Sequence, residues 1–261
     1  MDKVRSKDGT AIAFDRVGEG PPIILVVGAF NDRATGAPLA AALQDRFTVI
    51  AYDRRGRGDS GDAHPYTVER EVEDLEALLE EGGGSASVFG YSSGAVLSLI
   101  AAARGLAITK LALYEPPVTA DGGRGRLQED LAARLTALVE ADQRGDAVAL
   151  FQTEGVGLPA DVVAQLRQAP FWPALEAMAH TLVYETKILG DGALPTEVAA
   201  SVAAPTLVIA GGESFPFMRE TAAALAEVIP DGRAHILKGQ THDIVPEALG
   251  QVLEEFFADA R

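Results

Sequence analysis

The chain has 261 residues, 48% of them hydrophobic, with no cysteine and a formal net charge of −16. The length suits one large α/β domain or two small ones. The acidic balance argues against nucleic-acid and anionic-membrane partners, and the missing cysteines exclude disulfides, a thiolate nucleophile and cysteine metal ligands. The opening MDKVRSKDGT has no apolar signal core, and no stretch reaches the roughly 18 apolar residues of a spanning helix, so a soluble cytoplasmic protein is the expectation.

TAIAFDRVG reads as an antiparallel edge strand. PIILVVG, FTVIAYD, SVFGYS, KLALYE and PTLVIAGG are short, apolar and rich in β-branched residues, the pattern of strands buried on both faces. RAHILKG adds another strand near the end. Between them TVEREVEDLEALLEEG places Val68, Val72, Leu75 and Leu79 at helical spacing, with acids opposite and Gly82 as the stop. The last helix carries Leu249, Val252, Leu253, Phe256 and Phe257 on one stripe. Alternating strands and helices predict a mostly parallel central sheet with helices on both faces.

From about Arg124 to Leu189 the alternation stops and the pattern is helical. Three stretches are predicted there: RLQEDLAARLTALVEADQRGDAVALF, PADVVAQLRQAP and FWPALEAMAHTLVYETKIL. The predicted division is a core of residues 1–118 and 192–261, with a helical cap or lid over 119–191 inserted after the sixth strand. Such an insertion covers the carboxyl edge of the sheet, where open α/β sheets bind ligands. Its aromatic cluster, Phe171, Trp172 and Tyr184, supports a lid, and Trp172 is expected to bind substrate because pockets are apolar and aromatic.

Gly90-Tyr91-Ser92-Ser93-Gly94 fits G-x-S-x-G, with a strand pattern before it and a helix pattern after it. By spacing Ser92 is the nucleophile, and the backbone N–H of Ser93 serves the oxyanion. The chain here resembles the α/β-hydrolase family over nearly its whole length. YDRRGRGDS resembles the family's loop after the fourth strand, and GQTHD resembles the segment that delivers the catalytic histidine. The resemblance implies the α/β-hydrolase fold and makes His242 the base among the four histidines. It also implies a second oxyanion donor after PIILVVG, namely Ala29, with Phe30 as the alternative. Phe30 and Tyr91 are expected to wall the pocket. No metal or organic cofactor is implied. The three arginines of DRRGRGDS lack the P-loop lysine and spacing and are assigned to ion pairs.

One position departs from the family pattern. Where the aspartate usually follows the seventh strand, the chain reads Gly211-Gly212-Glu213-Ser214. A serine there cannot supply the charge that stabilises an imidazolium. Glu115, in LALYEPP after the sixth strand, is the predicted replacement, with Glu213 as the fallback and Ser214 as dispensable. Zearalenone-type lactone hydrolases place their acid after that strand and carry a Ser-Ser-Gly elbow, and this chain is similar at Ser92, Glu115 and His242. The implied function is hydrolysis of a carboxylic ester or lactone, with a small molecule as partner. The alternatives are carbon–carbon bond hydrolysis, cofactor-free perhydrolysis, or a non-catalytic ligand-binding protein on the same scaffold. Oligomeric state is not legible.

Overall fold

A computed structural model describes residues 1–119 and 130–259. Eight strands form one sheet in the order β1-β2-β4-β3-β5-β6-β7-β8. β1 (Asp2–Arg5), β2 (Ala11–Val17), β3 (Pro22–Val26) and β4 (Thr48–Tyr52) occupy one half. β5 (Ala86–Tyr91), β6 (Ile108–Tyr114), β7 (Thr206–Gly211) and β8 (Gly232–Leu237) form the other. β1 and β2 pair antiparallel, β2 joins β4 antiparallel, and every pairing from β4 to β8 is parallel. The run TAIAFDRVG is therefore a strand, but β1 takes the edge outside it. The predominantly polar DKVR of β1 gives no burial pattern to read, which suits an edge exposed to solvent.

The strands from β3 to β7 are buried on both faces, as continuous apolar runs predict. Ile24, Val88, Leu111 and Val208 point to one side, where α2 (Val68–Glu81), α3 (Ser93–Ala103), α9 (Thr196–Ala200) and α10 (Pro216–Val228) pack. Ile23, Phe89, Ala112 and Ile209 point to the other, against α1 (Arg33–Leu43) and α11 (Pro246–Ala258). Leu249, Leu253 and Phe257 of α11 are buried there, so the last helical stripe faces the sheet as its spacing predicts.

Between β6 and β7 the chain builds a separate helical layer. It contains α4 (Leu131–Glu140), α5 (Arg144–Leu150), α6 (Ala160–Leu166), α7 (Trp172–Ala177) and α8 (Leu182–Leu189). Leu135, Val148, Phe151, Trp172 and Leu182 form its own apolar cluster. The first predicted stretch breaks at Asp142, whose φ of 56° turns the chain between α4 and α5. It then widens into a π-helical turn over Phe151–Val156. The start of that stretch, residues 126–129, lies outside the described residues, as does the glycine cluster before it. The third stretch divides into α7 and α8 around a short 3-10 turn, Ala179–Thr181.

The layer is fastened to the sheet by charge. Arg54, Arg55 and Arg57, at most 2% exposed, follow β4 in the DRRGRGDS loop. Arg54 forks onto Glu71 of α2 with two bonds of 2.7 Å and reaches Glu185 of α8 at 2.9 Å. Arg57 also pairs with Glu185 and donates to the Gly28 carbonyl at 2.5 Å. Arg55 pairs with Asp74 and Asp8. The ion-pair assignment of this loop thus holds, with an added partner from the insertion.

Candidate active site

β5 runs straight into α3, and the change of direction falls on Ser92, at φ 56° and ψ −127°. The flanking glycines are required by space. A Cβ on Gly94 would lie 2.3 Å from the Val26 carbonyl oxygen, and one on Gly90 would lie 2.6 Å from Ala95 Cα. Among the described residues four non-glycine residues have positive φ: Phe30, Ser92, Glu115 and Asp142. Two of them, Phe30 and Ser92, line one cavity, and a third, Glu115, lies buried behind its wall, bonded to His242 of the same lining. Such backbone costs about 1–3 kcal/mol per residue and persists where surrounding structure over-determines it, typically at functional sites.

The structure brings Ser92, His242 and Glu115 to the same end of the sheet. His242 follows β8, and its Nδ1 lies 2.6 Å from Glu115 Oε2. Glu115 follows β6, is 0% exposed, and has its backbone N–H bonded to the Ile209 carbonyl of β7. The Gly211 N–H donates to its Oε1 at 2.7 Å, and the Ser214 hydroxyl donates to its Oε2 at 2.7 Å. The Gly211 N–H and the Ser214 hydroxyl are both donors, which suits a carboxylate, a group that only accepts. Ser214, expected from the sequence to be dispensable, thus holds a bond to the Glu115 carboxylate. Glu213 is exposed and points no contact at His242.

The histidine loop is fixed from below. Tyr114 Oη donates to the carbonyls of Thr241 at 2.6 Å and Asp243 at 3.2 Å. The Tyr91 ring lies 5.0 Å from the His242 ring. Burial pushes the Tyr91 phenol above its usual range, and the Asp243 carboxylate adds to the shift, so Tyr91 remains a neutral wall. The Ser92 hydroxyl has no hydrogen bond among the described residues, and His242 uses only its Nδ1. Catalytic contacts are often long before substrate binds.

The Ala29 N–H, expected at the oxyanion, donates to Ser93 Oγ at 3.0 Å in this structure. The Ser93 hydroxyl thus takes the acceptor place that a ligand oxygen would need at the Ala29 N–H.

The cavity beside Ser92 has a volume of about 300 Å³ and is lined by Phe30, Tyr91, Phe151, Phe215, Met218 and Gln152 among others. Phe30 and Tyr91 wall it as expected. Trp172 does not. It is 4% exposed within the insertion's own apolar cluster, and its indole N–H donates to Glu176 at 2.7 Å. Phe151 takes the aromatic place in the wall, its ring edge-on to Phe30 with centroids 5.7 Å apart. A lone tryptophan after a turn proline signals an aromatic anchor, but not whether its face turns to ligand or to core. Phe151 and Gln152 carried no signal, because the π-helical turn that aims them is not visible in apolar spacing. Among the described residues no group of acidic, histidine or cysteine side chains has the arrangement of a metal site.

Residues 23–255 match the family described as alpha/beta hydrolase family. Among curated proteins, the chain is 28% identical over 247 residues to the putative carbamate hydrolase RutD of Azorhizobium caulinodans, covering 89% of this chain and 91% of that one. Among solved structures, an alpha/beta hydrolase from Sphaerobacter thermophilus superposes with a TM-score of 0.93 at 55% identity, over 98% of this chain and 100% of that one. A thermophilic esterase from Thermogutta terrifontis superposes with a TM-score of 0.71 at 22% identity, over 98% and 97% of the two chains, a likeness of fold.

Proposed function

The chain belongs to the alpha/beta hydrolase family, and on that premise we propose that it cleaves a carboxylic ester or lactone through an acyl-enzyme on Ser92. The observation that carries the reading is the bond of 2.6 Å between His242 Nδ1 and a fully buried Glu115. A carboxylate so placed fixes the imidazole tautomer and leaves Nε2 free to accept a proton.

His242 Nε2 takes the proton of Ser92 as Oγ attacks the carbonyl carbon. The carbonyl oxygen becomes an oxyanion held by the Ser93 N–H and by the N–H of Ala29, which must first give up its bond to Ser93 Oγ, or of Phe30, each donor contributing roughly 3–4 kcal/mol in the transition state. Glu115 stabilises the imidazolium through its charge. The intermediate collapses, the alkoxide leaves with the proton from His242, and the acyl group stays on Ser92. Water, giving its proton to His242, attacks the acyl carbon. The carboxylic acid departs as Ser92 recovers its proton. Residues 1–118 and 192–261 supply this chemistry, and 119–191 act as the cap that closes the pocket.

The test is turnover of p-nitrophenyl esters, an aromatic lactone and an aryl carbamate, the last chosen because of the curated relative. Fluorophosphonate labelling is followed in parallel. Turnover and labelling in the wild type, both lost in Ser92→Ala, are expected. Neither in the wild type would move the protein to the ligand-binding reading. A diketone substrate and peroxide, added to the same panel, separate carbon–carbon cleavage and perhydrolysis from ester hydrolysis.

A further inference from the structure

We propose that the Ser93 side chain is a catalytic residue: its hydroxyl fills the oxyanion hole while the site is empty, turns aside when a carbonyl oxygen enters, and donates a hydrogen bond to that oxygen as it gains charge. The proposal rests on the hydrolase reading and adds a side-chain donor to the backbone N–H that Ser93 offers there.

The Ala29 N–H donates to Ser93 Oγ at 3.0 Å, so the hydroxyl oxygen lies where that N–H aims. The pair stands against the nucleophile. Ala29, Ser92 and Ser93 line the same cavity. Gly28, which carries Ala29, is packed so closely that a Cβ on it would lie 2.8 Å from Ser92 Cβ and 3.3 Å from Ser92 Oγ. A hydroxyl that accepts still has a hydrogen to give. The one on Ser93 has no acceptor among the described residues, although the residue is only 2% exposed. Ser98, on the same helix, shows the ordinary solution: its hydroxyl donates to the Gly94 carbonyl four residues back at 2.7 Å. Four residues before Ser93 stands Phe89, which is paired in the sheet with Leu25 and Ala112 and offers no helical turn to bond. A buried polar group with capacity left over calls for a cause.

The reaction supplies one. The staggered rotamers of a serine lie about 120° apart, so one step moves Oγ by about 2.3 Å. That step frees the Ala29 N–H and leaves the hydroxyl beside the oxygen that takes its place. The hydroxyl then gives its hydrogen bond to that oxygen. The bond strengthens as the oxygen gains charge, and a donor that acts mainly in the transition state speeds reaction without tightening ground-state binding. No covalent bond at Ser93 is made or broken, its proton stays on Oγ, and Ser92 remains the nucleophile.

Ser93→Ala separates a donor from a mere plug, because the two predict opposite signs. The variant is expected to lower kcat/KM on p-nitrophenyl esters by roughly tenfold or more. It should slow fluorophosphonate labelling of Ser92 by a similar factor, a readout that needs no known substrate. A plug alone would leave both rates unchanged or raise them. Two inhibitors separate a donor from a structural support. An aryl trifluoromethyl ketone, which forms a hemiketal oxyanion on Ser92, should lose roughly tenfold or more in affinity. The matching methyl ketone, bound as the plain carbonyl, should be little changed. Ser93→Cys, which keeps the shape with only a weak donor, repeats the comparison if Ser93→Ala folds poorly. Rates at or above wild type, or equal weakening of both ketones, overturn the proposal. A wild type that neither hydrolyses the esters nor takes the label overturns the hydrolase reading, and the proposal with it.

Discussion

Glu115 and Glu185 are both completely buried at the carboxyl edge of the sheet, and each gathers partners from distant parts of the chain. Around Glu115 the partners are a backbone N–H, a serine hydroxyl and the imidazole of a loop that reaches the cavity. Around Glu185 they are two guanidinium groups, Arg54 and Arg57, sealed from solvent. Burial pushes the Arg57 guanidinium below its usual range, and Arg54 beside it adds to the shift. In the same cluster burial would raise Glu71, but the charges of Arg54 and Arg57 and the hydrogen bonds from Arg54 and Tyr66 together outweigh it and hold that carboxyl below its ordinary value. Glu185 is thus enclosed by fixed charges that it must neutralise, whereas Glu115 faces one ring able to gain and lose a proton. On the proposed mechanism, equal burial gives one carboxylate a structural duty and the other a chemical one, and the neighbours decide which.

Four substitutions put that contrast at risk. Glu115→Gln should lower kcat by about 10³–10⁴-fold, since an amide can hold the ring but not its charge. The melting temperature should move by no more than about 5 °C. A kcat within tenfold of wild type would return the acid role to another residue. Glu185→Gln should do the opposite. Removing one member of a buried ionic group costs about 3–5 kcal/mol, which lowers the melting temperature by roughly 10 °C. Its kcat/KM at room temperature should stay within about tenfold. Scanning calorimetry beside ester kinetics reads both variants, and matching profiles would erase the distinction.

Smaller effects sharpen the Glu115 side. Ser214→Ala removes the hydroxyl 2.7 Å from Oε2 and should lower kcat roughly tenfold, the scale of a hydrogen bond to a charged group. Tyr114→Phe removes both bonds to the histidine loop and should lower kcat by about threefold, with KM little changed. Steady-state kinetics on a single good ester separate the two, and an inert Ser214→Ala would mean that the carboxylate is held well enough by Gly211 alone.

Much of this was legible in the chain because it is written locally. Five short apolar runs announce the buried strands, and G-x-S-x-G between a strand and a helix announces the turn at Ser92. Glu115 was legible through an absence, the serine at 214, combined with a glutamate at a strand end before two prolines. What stayed hidden depends on approach in space. Glu185 lies 128 and 131 positions from the arginines it bridges. Trp172 and Phe151 belong to one apolar cluster, and only the folded layer determines which of them reaches the cavity. The bond from Ala29 N–H to Ser93 Oγ joins backbone to a hydroxyl and leaves no trace in composition. The strand DKVR is missed for the opposite reason, since an edge exposed on most sides needs no apolar signature.

The two ends of the helical insertion meet. Thr119 and Ala193 form a parallel bridge, with Thr119 N–H bonded to the Gly192 carbonyl and Leu194 N–H bonded to that of Thr119. The chain therefore leaves the sheet and returns to it through a single doorway, one short step beyond Glu115. Cutting and rejoining at that doorway exchanges the roof of the pocket while β6 and β7 keep their register, provided the new roof brings a carboxylate to Arg54 and Arg57 where Glu185 now stands. Such a joint lets a lineage, or an engineer, alter what the molecule accepts without renegotiating how it reacts.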